Sequence, residues 1–254
     1  MLLAIDAGNT QTVVGLFRDA ELVDHWRIAT VADRTSDELA LMVQQFLGFH
    51  GFSFDDSITG VAISSGVPRV TAELRQMTER YFGFPALVVE PGVRTGMPIL
   101  YDNPKEVGAD RIANAVGAYD LFGGPSIVVD FGTATTIEAI SDKGEYLGGA
   151  IFPGVEISHD ALFGRAAGLR RVELVAPKHV IGKSSAESIQ AGMIYGFSAQ
   201  VDGLVGRFVG ELGPCEVIAT GGLAEPNIPH TSTVQHYEPW LTLYGLRIIF
   251  ERNR

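Results

Sequence analysis

The chain contains a single cysteine, Cys215, in 254 residues. A lone thiol cannot close an internal disulfide, so stability must come from packing, and a reducing compartment, the cytoplasm, is expected. A buried structural role for Cys215 accounts for it without any reactivity. Basic residues are also scarce: 19 Lys and Arg stand against 30 Asp and Glu, a net charge of −11. Phosphate-backbone binding needs clustered cations, so a nucleic-acid partner is not expected. The short basic stretch is Arg165 to Arg171. No apolar run approaches the roughly 18 residues a membrane helix needs, and the apolar opening Met1 to Ile5 is interrupted by Asp6, too soon for a secretory leader. Neither a membrane partner nor export is expected.

Several signatures of nucleotide and acyl chemistry are missing too. The chain has no Gly-x-x-x-x-Gly-Lys-Ser/Thr loop, no Gly-x-Gly-x-x-Gly loop and no Gly-x-Ser-x-Gly elbow. Its six histidines show no metal-ligand spacing. Dehydrogenase, P-loop and serine-hydrolase readings lose ground accordingly. What remains is an ordinary globular composition, 46% apolar and 19% charged.

The most informative feature present is an internal echo. Leu3-Ala4-Ile5-Asp6-Ala7-Gly8-Asn9 opens the chain, and Val128-Val129-Asp130-Phe131-Gly132-Thr133 repeats its pattern. Carried forward without a gap, Thr12 to Leu16 aligns with Thr136 to Ile140, and Arg18 to Leu22 with Asp142 to Tyr146. Each copy reads as strand, tight turn, strand, polar turn and strand. A buried strand ending in Asp, then Gly, lets the backbone turn sharply and approach a ligand. Successive N–H groups in such a turn form an anion site, and the carboxylate beside it can hold a cation. One Asp-x-Gly hairpin is usually only structural, but two near the start of similar half-chains suggest related domains, 1–117 and 118–254, facing each other across a cleft.

The remaining pattern supplies alternating helices and strands, hence an α/β fold seen twice. Ser36-Asp37-Glu38 starts a helix with Leu39, Met42, Val43, Phe46 and Leu47 at helical spacing. Ile58 to Ser64 reads as a strand, Val70 to Phe82 as a helix, and Ala86 to Glu90 as a strand. Asn103-Pro104 opens a helix running to about Leu121. Ser185 to Leu212 reads as a long helix region, Glu216 to Ala219 and Thr233 to His236 as strands, and Leu241 to Arg252 as a closing helix.

Four motifs carry candidate chemistry. Asp6-Ala7-Gly8-Asn9-Thr10 reads as a phosphate loop with Asp6 near Mg²⁺, or as a plain hairpin turn. Asp130-Phe131-Gly132-Thr133-Ala134-Thr135-Thr136 offers hydroxyls to phosphate and a cation, although threonine favours strands in any case. Gly108-Ala109-Asp110-Arg111 sets an Arg beside a carboxylate. A kinase needs such a carboxylate to accept a hydroxyl proton and a cation to bind an anionic group, while most adjacent Asp-Arg pairs are surface charges of little weight. Thr220-Gly221-Gly222, after a strand, lets a purine or ribose lie close to the backbone, or simply turns the chain.

In combination and order these residues resemble the type III pantothenate kinases over nearly the whole chain. Supporting marks are Glu90-Pro91-Gly92-Val93-Arg94-Thr95-Gly96, Asn103-Pro104, Gly148-Gly149-Ala150-Ile151 with Pro153-Gly154, and Gly192 to Gly196. The resemblance implies two duplicated ribonuclease-H-like domains of the actin-like ATPase superfamily. It implies transfer of the ATP γ-phosphoryl group to the primary hydroxyl of pantothenate, the first step towards coenzyme A. Asp6, Ala7, Gly8, Asn9, Thr10, Gln11, Thr12 and Val13 would hold ATP, with Thr133 touching it as well and Asp6 serving Mg²⁺. Asp110 would be the general base. Tyr101, Gly108, Ala109, Asp110, Arg111 and Ser185 would line the pantothenate site, with Arg94 or Arg165 as candidates for its carboxylate. Asp130 would hold a monovalent cation, potassium or ammonium. The resemblance also implies a homodimer whose partner subunit helps close the substrate pocket. Where the family usually has Thr, this chain has Ser185, which keeps the hydroxyl and loses a methyl that restricts the rotamer. Another kinase of the same superfamily and a non-catalytic nucleotide-sensing factor are the alternatives; the presence of Asp6, Asp110 and Asp130 counts against the second.

Overall fold

The computed structural model describes residues 1–54, 58–166 and 168–254. They form two compact units. The first comprises Met1–Pro98, Asp102–Gly117 and Leu241–Arg254; the second comprises Ile99–Tyr101 and Ala118–Trp240. Sequence order assigns 1–117 to one domain and 118–254 to the other, so two pieces change sides. The closing helix packs with the first unit, and Ile99–Tyr101 pairs with the second.

In the first unit, β1 (Leu2–Ala7), β2 (Gln11–Arg18) and β3 (Glu21–Ala29) form an antiparallel meander. Next come α1 (Ser36–Gly48), β4 (Gly60–Ser65), α2 (Pro68–Met77) and β5 (Leu87–Val88). The sheet order is β3-β2-β1-β4-β5, with β4 parallel to β1 and β5 parallel to β4. The central strand β1 is buried on both faces, as a strand covered by helices must be, and reads as an almost continuous apolar run. Leu3 and Ile5 of β1 join Leu39, Val43 and Leu47 of α1 and Val70 and Leu74 of α2 in one core cluster.

Local chemistry sets the helix ends. Thr35 caps α1: its Oγ1 accepts from the Glu38 N–H at 3.4 Å, and Glu38 Oε2 accepts from the Thr35 N–H at 2.8 Å. The expected apolar stripe of α1 faces inward, and Phe46 stacks on Trp26 of β3 with ring centroids 5.2 Å apart. Helix α2 begins at Pro68, before Val70, because proline suits a first helical position whose N–H has no intrahelical partner. Its last expected turn, Thr78–Phe82, is a wider π turn that ends at Gly83 with φ +76°.

The second half of the first unit corrects a sequence expectation. Asn103-Pro104 opens only a short 3₁₀ turn, Pro104–Glu106, in which Asn103 accepts from the Lys105 N–H at 3.3 Å. Val107 is extended, with ψ 122°, and breaks the path. Helix α3 (Ala109–Phe122) then starts afresh. The break is what puts Gly108 and Asp110 at a helix start instead of in mid-helix.

The second unit repeats the plan. Strands β6 (Ser126–Phe131), β7 (Ala134–Ile140) and β8 (Tyr146–Pro153) form its meander. Helices α4 (Val155–Arg165) and α5 (Ser185–Leu212), then β9 (Glu216–Thr220) and β10 (His236–Tyr237), complete it. The sheet order β10-β9-β6-β7-β8 is the mirror listing of the first, so each unit has the same topology. Helix α4 has no counterpart among the sequence expectations, and the expected strand Thr233 to His236 reduces to His236–Tyr237. Val201 and Val205 of α5 cover Ile127, Val129 and Ile137 of the sheet. Cys215 is half-buried, not buried as expected; it packs against this cluster, and desolvation, with Glu216 nearby, pushes its thiol up. The chain ends in α6 (Leu241–Glu251), in the first unit, where Thr242 donates to the buried Asn114 of α3 at 2.6 Å.

The repeat is real but not gapless. Ala7 pairs with Thr12 in the first hairpin, whereas Phe131 pairs with Thr135 in the second. The second turn is one residue shorter, so Thr12 corresponds to Thr135, and not to Thr136 as the constant offset implies. The core confirms the shift: Val14 and Ile137, the true equivalents, both face buried clusters. A one-residue slip would have turned each strand inside out.

Candidate active site

Both Asp-x-Gly turns are closed by the glycine N–H. Gly8 donates to the Gln11 carbonyl at 3.0 Å, and Gly132 donates to the Ala134 carbonyl at 3.1 Å. A side chain on either glycine would press on that same carbonyl, at 3.2 and 3.3 Å. The first turn leaves Asn9, Thr10 and Gln11 exposed at its tip, with Ala7 buried and Gly8 and Val13 partly so. Thr12 is different. It is buried, and its hydroxyl shares a 2.8 Å hydrogen bond with Thr30, the residue just after β3. Thr12 therefore braces the hairpin from below, while residues 8–11 form the surface that a phosphate can approach.

The second turn exposes Thr133, whose carbonyl accepts from Gly154 at 3.0 Å. Gly154 caps α4 at backbone distance from this turn; a Cβ there would overlap the Gly132 and Thr133 carbonyl oxygens. Behind the turn lies Asp130. Gly221 sits against its carboxylate: a Cβ on Gly221 would overlap Asp130 Oδ1 and stand 2.6 Å from the Phe131 carbonyl oxygen. Gly221 also has φ +96°, a conformation that L side chains rarely adopt. Leu223 N–H reaches the Phe131 carbonyl at 3.0 Å. The Thr220-Gly221-Gly222 motif thus has a defined neighbour, the Asp130 carboxylate. The carboxylate and the Phe131 carbonyl thus both face Gly221, an oxygen-only neighbourhood of the kind that hard cations take.

At the start of α3, Arg111 N–H donates to Asp110 Oδ1 at 2.9 Å. That oxygen lies where a Gly108 side chain would be, so glycine is required to leave Asp110 its position. Asp110 is exposed, and Arg111 is 7% exposed. The result is a solvent-facing carboxylate of fixed orientation at a helix N-terminus, where the macrodipole favours negative charge.

The other candidate substrate residues are divided between the units. Tyr101 belongs to the second, where Leu100 N–H bonds to the Tyr146 carbonyl at 2.8 Å and the Tyr101 ring lies 6.3 Å from that of Tyr146. A side chain on Gly148 would touch the Tyr101 ring at 3.6 Å. Ser185, also in the second unit, is the exposed first residue of α5, just after the capping Ser184, whose Oγ accepts from Glu187 at 3.2 Å. Gly108, Ala109, Asp110 and Arg111 lie in the first unit. Arg94 is exposed there, its backbone tied to Asn253 through hydrogen bonds of 3.2 and 2.8 Å. Arg165 ends α4 in the second unit. Among the described residues no three His, Cys, Asp or Glu side chains converge.

Comparison with known proteins places this geometry. Residues 2–207 match the family model described as type III pantothenate kinase. The type III pantothenate kinase of Streptomyces griseus is 56% identical over 261 residues, covering 100% of this chain and 98% of the relative. Among solved structures, the (R)-2-hydroxyglutaryl-CoA dehydratase component A of Acidaminococcus fermentans superposes with TM-score 0.59 at 14% identity, covering 100% and 99% of the two chains. The inorganic polyphosphate/ATP-glucomannokinase of Arthrobacter sp. strain KM gives 0.53 at 16% identity, covering 100% and 99%. These structures share the fold, the duplicated α/β plan of actin-like ATPases and sugar kinases. With paired Asp-x-Gly hairpins, a fixed Asp110 and a match along almost its whole length, the chain belongs to the type III pantothenate kinase family.

Proposed function

We propose that this protein transfers the γ-phosphoryl group of ATP to the primary hydroxyl of pantothenate, giving 4′-phosphopantothenate and opening coenzyme A synthesis. The match along residues 2–207 carries the reading. In it, Asp110 takes the proton of the attacking hydroxyl. Its exposure and its fixed orientation over Gly108 support that role, because a general base must reach the proton it abstracts. The turn 8–11 offers N–H groups and short polar side chains to the phosphates, and Thr133 does the same from the second hairpin. Asp6 holds Mg²⁺, which when bound neutralises charge on the transferring phosphates. Asp130 holds potassium or ammonium; the cradle formed by Gly221 supports this. Tyr101, Gly108, Ala109, Arg111 and Ser185 bind pantothenate. Exposed apolar side chains on the edge strand β8 and on α4, Ile151 and Ile157, support a homodimer. No helix among the described residues is long and apolar enough to cross a membrane, which is compatible with a cytoplasmic enzyme.

The test is ADP release by the purified protein with ATP, Mg²⁺ and potassium, with and without pantothenate. Pantothenate-dependent release that falls when sodium replaces potassium is expected. Equal release without pantothenate, or none in any salt, would overturn the assignment.

A further inference from the structure

Ser64, the penultimate residue of β4, is 1% exposed, and its Oγ has no hydrogen-bond partner among the described residues. Buried hydroxyls without partners are rare and costly, so this one needs a reason. Its neighbour Ser65 has one: Ser65 Oγ accepts from the Val67 N–H at 3.1 Å and donates to the Val67 carbonyl at 3.3 Å, forming the turn into α2. Ser64 takes no part in that turn. Nor does packing call for a hydroxyl there, since Ala62, two residues earlier on the same face, fills its place without one.

The register explains where Ser64 points. Asp6 and Ser64 are paired residues of the parallel strands β1 and β4, so their side chains leave the sheet on the same face, side by side. Ile5 and Ile63 take the opposite face, in the apolar core. Both residues lie at the carboxyl ends of parallel strands, where open α/β sheets bind ligands. The second unit repeats the juxtaposition independently: Asp130 of β6 pairs with Thr220 of β9 at the same place in the same topology. Each hairpin carboxylate therefore has a hydroxyl residue beside it on the parallel strand.

We propose that Ser64 is a positioning residue for the nucleotide's divalent cation, its hydroxyl donating a hydrogen bond to the water shell of the cation held at Asp6. The inference rests on the reading of Asp6 given above. The test is calorimetric binding of a non-hydrolysable ATP analogue to wild type and Ser64→Ala, once with Mg²⁺ and once with EDTA. Loss of one hydrogen bond to a charged cluster predicts about tenfold weaker binding in Mg²⁺. With EDTA the two proteins should bind alike. The unliganded melting temperature should not fall, because alanine removes an unsatisfied group. Ser64→Cys, of similar shape and a weaker donor, should fall between the two and serves if the alanine variant misfolds. Equal affinities in Mg²⁺, or equal losses in both arms, would overturn the role of Ser64 alone. Wild-type binding that is indifferent to Mg²⁺ would overturn the reading of Asp6, and this inference with it.

Discussion

Replacing Gly221 with alanine tests the close approach of this glycine to the Asp130 carboxylate. The substitution adds one methyl group and nothing else. At φ +96° that methyl strains the backbone, at a cost of about 1–3 kcal/mol. It also overlaps Asp130 Oδ1 and stands 2.6 Å from the Phe131 carbonyl oxygen, so the carboxylate must swing away or the strand must shift. Such overpacking costs a further 1–3 kcal/mol or so. Each kcal/mol shifts the melting temperature of a chain this size by about 2–4 °C. A fall on the order of 4–24 °C follows, together with loss of potassium stimulation, because the displaced group is the proposed cation ligand. Gly206→Ala is the matched control. Gly206 is exposed within α5, and a methyl group added there meets nothing within 4 Å. The variant should gain about 0.5–1 kcal/mol from the better helix former. Differential scanning calorimetry reads the melting temperatures of both variants, and ADP release in potassium and in sodium reads the stimulation. A Gly221→Ala protein that melts within a degree of wild type and still responds to potassium would refute the reasoning.

Other expectations follow from single groups. Asp110→Asn should lower turnover by roughly 10²- to 10⁴-fold while leaving nucleotide binding largely intact, as steady-state kinetics and calorimetry would show. Asp130→Ala should remove the difference in rate between potassium and sodium; a variant still stimulated by potassium would contradict the cation role. Asp202 of α5 accepts hydrogen bonds from the backbone and hydroxyls of Ser232 and Thr233 at 2.7–3.0 Å. Burial alone would raise its carboxyl, but these bonds outweigh it and hold it below the ordinary value of 3.8. A depressed folded-state carboxyl adds stability that is present above the unfolded value and lost as the pH falls through the folded one. Acid unfolding of Asp202→Asn should therefore be less steep than that of wild type below about pH 4, measured by circular dichroism.

Much of this architecture was legible without coordinates, and the reasons are local. A buried strand ending Asp-x-Gly has few ways to continue other than a tight turn, so two copies announced two hairpins. The apolar positions of α1 recur at helical spacing, and Ser185 to Leu212 carries no proline to stop it. Asp6 and Asp130 are candidates because a carboxylate beside a glycine turn can hold a cation, and Asp110 because a carboxylate next to Arg111 suits phosphoryl transfer. Where local signals compete, tertiary context decides. Asn103-Pro104 is a sound helix start, yet the helix it promised breaks at Val107 and begins again at Ala109.

By itself, then, the sequence determined the duplicated α/β plan and the two hairpins, since strand period, turn chemistry and helix spacing are properties of neighbouring residues. Tertiary structure alone decided that Thr12 corresponds to Thr135, because register depends on which face meets the core. It decided that Leu241–Arg254 joins the first unit, because a helix is claimed by the surface that buries it. It also set Gly221 against Asp130 and Ser64 beside Asp6. Those contacts join strands far apart in the chain, and only the folded sheet brings them into register.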